Sequence, residues 1–310
     1  MTHDNVVAVG IDGSERSDIA LTWAIEQAKR RQARLHIVTS YELPTYTAHT
    51  FEGAGSSIDS RLFEAADEFL DIAVKRAEGA GVETSSSLET GDPAAVLVEL
   101  SKKVATVVVG SRGRGSFADR LLGTVSSAVP AHAYCPTVVV TEQSAGSCLP
   151  IRHIVVGVDG SEAANIALER AIWEAERWQA KLTAVAAVNM GSIAWMPGAG
   201  YSVDVLDDVR SGLEVVVEEA TRGFDIDVRT HALEGNPAAL MAEFSTAVDM
   251  LVIGTRGRGG FAGLLLGSTS QAILHHSTCP VMVVPKRIKP GDDIPPTPPS
   301  VTDVPWNRPE

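Results

Sequence analysis

The sequence predicts two tandem α/β domains of the doubly wound, Rossmann-like kind, each a parallel sheet with helices on both faces. Three observations carry this. The first is an internal duplication. Val9-Gly-Ile-Asp-Gly-Ser-Glu15 recurs as Val156-Gly-Val-Asp-Gly-Ser-Glu162, Gly91-Asp-Pro-Ala-Ala95 as Gly235-Asn-Pro-Ala-Ala239, and Cys135-Pro136 as Cys279-Pro280. The offset is 147 residues for the first pair and 144 for the others, a domain-sized period rather than that of a solenoid. The second is length, since 310 residues suffice for two domains that each bury a core. The third is the alternation of short apolar runs with helical periodicity, which is the pattern of βαβ units; right-handed crossovers then leave a doubly wound arrangement.

The elements of the first copy follow in order. Val6–Ile11 is an apolar strand ending at Asp12-Gly-Ser, and Ala20, Leu21, Ala24, Ile25 and Ala28 fall on one face of the helix after it. Leu35–Val38 is the second strand, followed by a polar loop. Leu62 to Ala77 reads as an amphipathic helix, and Val82–Leu88 as a more polar strand near a sheet edge. Gly91-Asp92-Pro93 opens the next helix with Asp at the cap and Pro at its first position. Thr106–Val109 is a buried strand running into Gly110, and a helix through about Ala131 leads to the last strand, Thr137–Val140. In the second copy the strands begin near His153, Leu182, Ile226, Met250 and Val281. The expected boundaries are a first domain over 1–141, a linker over 142–150, a second domain over 151–285 and a tail over 286–310. Eight of the sixteen prolines lie from Pro285 onward, so the tail is expected to be extended or disordered.

Composition narrows the function. Hydrophobic residues make up 45% of the chain and mean hydropathy is +0.08. No run approaches the roughly 20 apolar residues of a membrane span. The opening residues carry no basic-then-apolar leader. A net charge of −13 argues against a nucleic-acid partner, whose backbone needs a positive surface. Cys135 and Cys279 each precede a proline and a strand and read as small buried side chains, while Cys148 sits in the linker. A reducing, cytoplasmic location is expected, with no disulfide framework and no metal site.

The chemistry lies in two glycine-rich segments in matching register, Gly110-Ser111-Arg112-Gly113 with Gly123-Thr124, and Gly254-Thr255-Arg256-Gly257 with Gly267-Ser268. Each follows a strand and precedes a helix. Glycines let backbone amides approach an anion, and the helix adds the positive end of its dipole. In open α/β sheets ligands bind beyond the carboxyl ends of the strands where strand order reverses. Asp12 and Asp159 end the first strands and the glycine loops end the fourth, so each pair is expected to face one crevice. Asp12 is open to two readings, ligand contact and capping of the helix that follows. Neither loop carries the lysine of a Walker P-loop, and both follow the fourth strand, where a dinucleotide fingerprint does not belong.

The spacing Gly-x2-Gly-x9-Gly-Ser/Thr, the strand ending Val-Gly-Ile/Val-Asp-Gly-Ser and the closing Cys-Pro-x-x-Val-Val together resemble the universal stress protein family, in its ATP-binding, tandem form. The likeness spans 5–141 and 153–284, with the motif complete in both copies. It implies a five-stranded parallel sheet per domain and one ATP, with Mg2+, in each. By this resemblance Asp12 and the backbone around Gly10 and Ser40 meet the adenosine part. Ribose and phosphates fall to Gly110, Ser111, Arg112, Gly113, Arg114, Gly115, Ser116, Gly123, Thr124 and Ser126. The equivalents in the second copy are Gly157, Asp159, Val188, Gly254, Thr255, Arg256, Gly257, Arg258, Gly259, Gly260, Gly267, Ser268 and Ser270. The resemblance also implies that Thr137–Val140 and Val281–Val284 pair antiparallel, and it is compatible with a homodimer of chains.

Arg112, Arg114, Arg256 and Arg258 recur at matching places in an acidic chain and are expected to meet phosphate. Ser116 is replaced by Gly260, which removes a hydroxyl from the second loop. Arg120 corresponds to Leu264 and has no shared role. His132, His275 and His276 end helices, an ordinary stabilising position, and Trp23, Trp173 and Trp178 are expected to pack. Three functions compete: a stress regulator reading ATP occupancy, a slow ATPase, and a module for another adenine nucleotide such as cyclic AMP. Hydrolysis needs a positioned base or water-orienting group, and only Asp12 and Asp159 are near both loops. No catalytic residue is therefore assigned.

Overall fold

A computed structural model of the chain describes residues 4–41, 55–113, 122–144, 148–189, 202–257 and 265–287. They fall into two compact units that divide between Thr137 and Val138. Among the described residues no helix is long and apolar enough to cross a membrane.

In the first unit β1 (Asp4–Gly10), α1 (Glu15–Arg31), β2 (Arg34–Tyr41), α2 (Gly55–Gly79), β3 (Thr84–Thr90), α3 (Pro93–Leu100), β4 (Val104–Gly110) and α4 (Thr124–His132) alternate along the chain. The strands lie in the order β3-β2-β1-β4, every neighbouring pair parallel. The chain steps outward from β1 to β2 and β3, then returns to β4 on the far side of β1. Strand order therefore reverses between β1 and β4. Val6, Val7, Ala8 and Val9 are at most 1% exposed, because a central strand covered on both faces needs an uninterrupted apolar run. β3 is the edge strand, as its serines predict, but it starts two residues later than expected. The Val82 amide is taken by the carbonyl of Ala77 at the end of α2, so the ladder begins at Thr84 opposite Leu35.

The second unit holds β5 (Thr137–Val140) apart from its first residue, then β6 (His153–Gly157), α5 (Glu162–Trp178), β7 (Lys181–Val188), α6 (Ser202–Ala220), β8 (Val228–Glu234), α7 (Pro237–Phe244), β9 (Met250–Gly254), α8 (Ser268–His276) and β10 (Val281–Val284). Within this unit the strands run β5-β10-β9-β6-β7-β8, parallel from β10 to β8. Strand order reverses between β6 and β9, as it does between β1 and β4. Cys135, Cys148 and Cys279 are all buried, Cys148 included although it lies in the expected linker segment. Residues 288–290 and the tail beyond lie outside the described residues.

Helix starts follow the sequence closely. Ser14 and Ser161 cap α1 and α5, accepting from Ser17 N and Ala164 N at 3.2 Å each. Asp92 and Asn236 cap α3 and α7, each with proline next. Beneath α1 and α5 the two units diverge in a buried polar stripe. Trp23, Gln27 and Arg31 descend one face of α1, and Arg170, Glu174 and Trp178 occupy the same three steps of α5. Arg31 Nη1 donates to Thr106 Oγ1 at 2.6 Å, whereas Arg170 Nη2 lies 2.9 Å from Glu174 Oε1 with both side chains at most 5% exposed.

His36, on β2 and 1% exposed, lies between two hydroxyls of the edge strand, Nδ1 3.0 Å from Ser85 Oγ and Nε2 3.1 Å from Ser87 Oγ. Burial lowers its pKa from 6.5 to about 4. The unfolded chain thus takes up a proton near pH 6.5 that the folded chain refuses until about 4. Between those values the unfolded state binds more protons, so stability is lost as pH falls through the window, by up to about 3 kcal/mol. His36→Thr, which installs the residue found at the matching Thr183, is expected to flatten this slope in urea melts at pH 4.5 and 7. An unaltered slope would place the acid sensitivity elsewhere.

Candidate functional site

At the reversal point of the first unit a cavity of about 360 Å³ opens between the ends of β1 and β4. Asp12 closes it on one side. Its Oδ1 accepts from Ser14 N at 3.0 Å and Ser14 Oγ at 2.6 Å, bracing the residue that caps α1. The cap is therefore Ser14; Asp12 positions it across the turn at Gly13, whose φ of +71° suits glycine. The other carboxylate oxygen rests on the glycine loop: a Cβ at Gly113 would stand 2.3 Å from Asp12 Oδ2. Gly110 is also needed for packing, since a Cβ there would lie 2.9 Å from the Arg16 carbonyl in the first turn of α1. The strand end and the helix start touch backbone to backbone, and this brings Asp12 onto the loop.

The loop re-enters the described residues at Leu122 and starts α4. Its neck is tied by Gly123 N donating to the Ser111 carbonyl at 2.9 Å and by Ser126 Oγ donating to the same carbonyl at 2.6 Å. Ser126 Oγ also accepts from Gly123 N at 3.0 Å. Its one proton is committed within the protein, so Ser126 holds the loop in shape although it lines the cavity. α4 itself begins on Gly123 with no side-chain cap. Its first-turn amides have no intrahelical acceptors, and the residues that carry them, Thr124, Val125 and Ser126, line the cavity. α8 begins in the same way on Gly267.

The second unit repeats the frame. Asp159 Oδ1 accepts from Ser161 N at 3.0 Å, and a Cβ at Gly257 would stand 2.2 Å from Asp159 Oδ2. Ser270 Oγ donates to the Gly254 carbonyl at 2.9 Å, and Gly267 N to the Thr255 carbonyl at 2.8 Å. The cavity is about 120 Å³.

Of the sequence-predicted residues, Gly10, Asp12, Ser40, Gly110, Arg112, Gly113, Gly123, Thr124 and Ser126 line the first cavity, and Gly157, Asp159, Gly254, Arg256, Gly257 and Ser270 the second. Ser111 and Thr255 are buried in the necks behind. Arg114, Gly115, Ser116, Arg258, Gly259 and Gly260 lie outside the described residues, as do Arg120 and Leu264. One pairing is corrected. Gly91 N and Gly235 N donate to the carbonyls of Tyr41 and Val188 at 3.0 Å each, so Val188 matches Tyr41, and the residue matching Ser40 is Ala187, which lines the second cavity. The three-residue shortening falls after β7, between that strand and Gly235, so β2 and β7 still keep the 147-residue offset. Sequence reasoning also missed the apolar wall of Ile11, Val38, Pro93, Val96, Leu97 and Leu122. The signal available for it was the repeated Gly-Asp/Asn-Pro start of α3 and α7, which marks a second element brought to the strand ends.

The frame has known relatives. A model of the universal stress protein family matches residues 5–141 and again 150–285. One universal stress protein of Mycobacterium tuberculosis is 32% identical over 294 residues, spanning 89% of this chain and 96% of its own length. A second from the same organism is 31% identical over 288 residues, spanning 89% and 95%. The solved structure of a universal stress protein from Archaeoglobus fulgidus superposes with a TM-score of 0.67 at 22% identity, over 91% of this chain and 99% of that one, a likeness of fold. With the family's model matched in each half and relatives above 30% identity along most of its length, the chain belongs to the universal stress protein family, carrying two such domains in tandem.

Proposed function

We propose that the chain binds ATP at its two loop-and-helix sites and acts as a stress-response regulator whose conformation or partner contacts follow nucleotide occupancy. The observation that carries this reading is the pair of helix starts at Gly123 and Gly267. The four other helices whose starts are fully described spend a Ser, Asp or Asn side chain on their first-turn amides, and these two spend none. Those amides and the helix dipole suit phosphate oxygens, with Arg112 or Arg256 as local counter-charge in a protein of net charge −13. Mg2+ belongs to this reading as counter-ion of the triphosphate. The apolar wall of Val38, Pro93, Val96 and Leu97 suits an adenine ring, and Asp12 stands between the two ends, where a ribose would lie.

Regulation is preferred to hydrolysis because of how Asp12 is used. Its Oδ1 already accepts two hydrogen bonds from Ser14 and its Oδ2 rests on Gly113, which is the arrangement of a positioning carboxylate, not of a base poised to take a proton. The purified protein is expected to release ATP on denaturation, identified by mass and counted per chain. Once stripped, it is expected to be stabilised by added ATP, by about 2.7 kcal/mol at a hundred times Kd. Recovery of ADP alone would move the assignment to an ATPase. A protein that arrives empty and ignores ATP in a thermal titration would remove it.

A further inference from the structure

We infer, resting on the reading that both cavities take ATP, that the two sites are unequal: the first holds the nucleotide at least tenfold more tightly, and the difference is set by Ser40 and Val96 against Ala187 and Leu240. The frames match but the room does not, about 360 Å³ in the first cavity and about 120 Å³ in the second. Small-molecule sites begin at about 300 Å³. Among the described residues the first cavity therefore has the room of a small-molecule site, and the second has about a third of it.

Register identifies two exchanges that bear on the difference, beside the exchanges of Val109 for Ile253 and Leu97 for Met241. α3 and α7 both start at a proline after a capping Asp or Asn, so Val96 and Leu240 hold the same place, each lining its cavity. Ile11 N donates to the Val38 carbonyl and Val158 N to the Val185 carbonyl, at 2.9 Å each, which sets β2 and β7 in step and puts Ala187 where Ser40 stands. Leu240 also folds back over its own turn. A Cβ at Gly235 would stand 3.1 Å from Leu240 Cδ1, whereas around the matching Gly91 nothing lies within 4 Å. The added methylene thus fills space beside the strand ends that Val96 leaves open. Ser40 lines the first cavity with a hydroxyl-bearing residue where Ala187 lines the second with none, so on this inference both exchanges act against the nucleotide.

Such inequality makes the response graded, the first site filling at low ATP and the second only at high. The test uses the full chain stripped of nucleotide. Photolabelling with 8-azido-ATP at rising concentration, with labelled peptides mapped by mass spectrometry, reads each half without any substitution. Peptides of the first unit are expected to label at least tenfold earlier. In titrations with ATP, Ser40→Ala with Val96→Leu is expected to weaken the tight step at least tenfold, and Ala187→Ser with Leu240→Val to strengthen the weak one. Equal labelling of the two halves overturns the inference alone and leaves the nucleotide reading standing. ATP bound at neither cavity overturns both.

Discussion

On the proposed nucleotide reading, Gly113→Ala is expected to weaken ATP binding at the first cavity by about ten- to a hundredfold. The methyl group would stand 2.3 Å from Asp12 Oδ2, closer than any non-bonded contact allows. That carboxylate is not a loose end that can swing away, because Ser14 holds Oδ1 through both its amide at 3.0 Å and its hydroxyl at 2.6 Å. Either Asp12 surrenders those bonds and loosens the cap of α1, or the loop retreats and takes Arg112 out of reach of the phosphates. Losing one hydrogen bond to a charged group, worth about 1.5–3 kcal/mol, accounts for the loss. Equilibrium dialysis against ATP reads it, and an affinity within twofold of the parent chain would sink the placement of phosphates on this loop. Gly257→Ala meets the same obstacle at 2.2 Å from Asp159 Oδ2. There the serine's amide holds the carboxylate at 3.0 Å while its hydroxyl is turned 3.5 Å toward the Arg256 carbonyl, so a smaller loss is expected at that site.

Glu174→Ala is expected to destabilise the second unit by about 3–5 kcal/mol, because it leaves the guanidinium of Arg170 buried without its carboxylate. The pair lies beneath α5 with side chains 5% and 1% exposed, where water cannot replace the lost partner. The double substitution Arg170→Met with Glu174→Leu removes both charges at similar volume and is expected to restore most of the loss. Chemical denaturation followed by intrinsic fluorescence, for which Trp173 and Trp178 lie on the same helix, separates these outcomes. A single variant that loses under 1 kcal/mol would mean that the pair is solvated in a way its burial denies. The first unit solves the same problem otherwise, with Gln27 in place of the glutamate and Arg31 reaching Thr106 on β4.

The sequence by itself determined the duplication, the order of strands and helices in each copy and the capped, proline-led start of α3. These follow from patterns a few residues long: apolar runs for covered strands, a 3.6-residue period for helices, and Ser, Asp or Asn where first-turn amides need an acceptor. The glycine loops and the two aspartates were legible for the same reason, since each belongs to a short segment at a strand end. Tertiary structure decided what spacing cannot express. It made Ser14 the cap and Asp12 its brace, gave Ser126 to the neck of the loop, and matched Ala187, not Val188, with Ser40. It also brought α3 over the strand ends to supply the apolar wall, and let one methylene at Leu240 help close a cavity that Val96 leaves open. Those outcomes depend on atoms from elements far apart in the chain meeting within a few ångströms, and the depth of a cavity is set by that packing, not by any one segment.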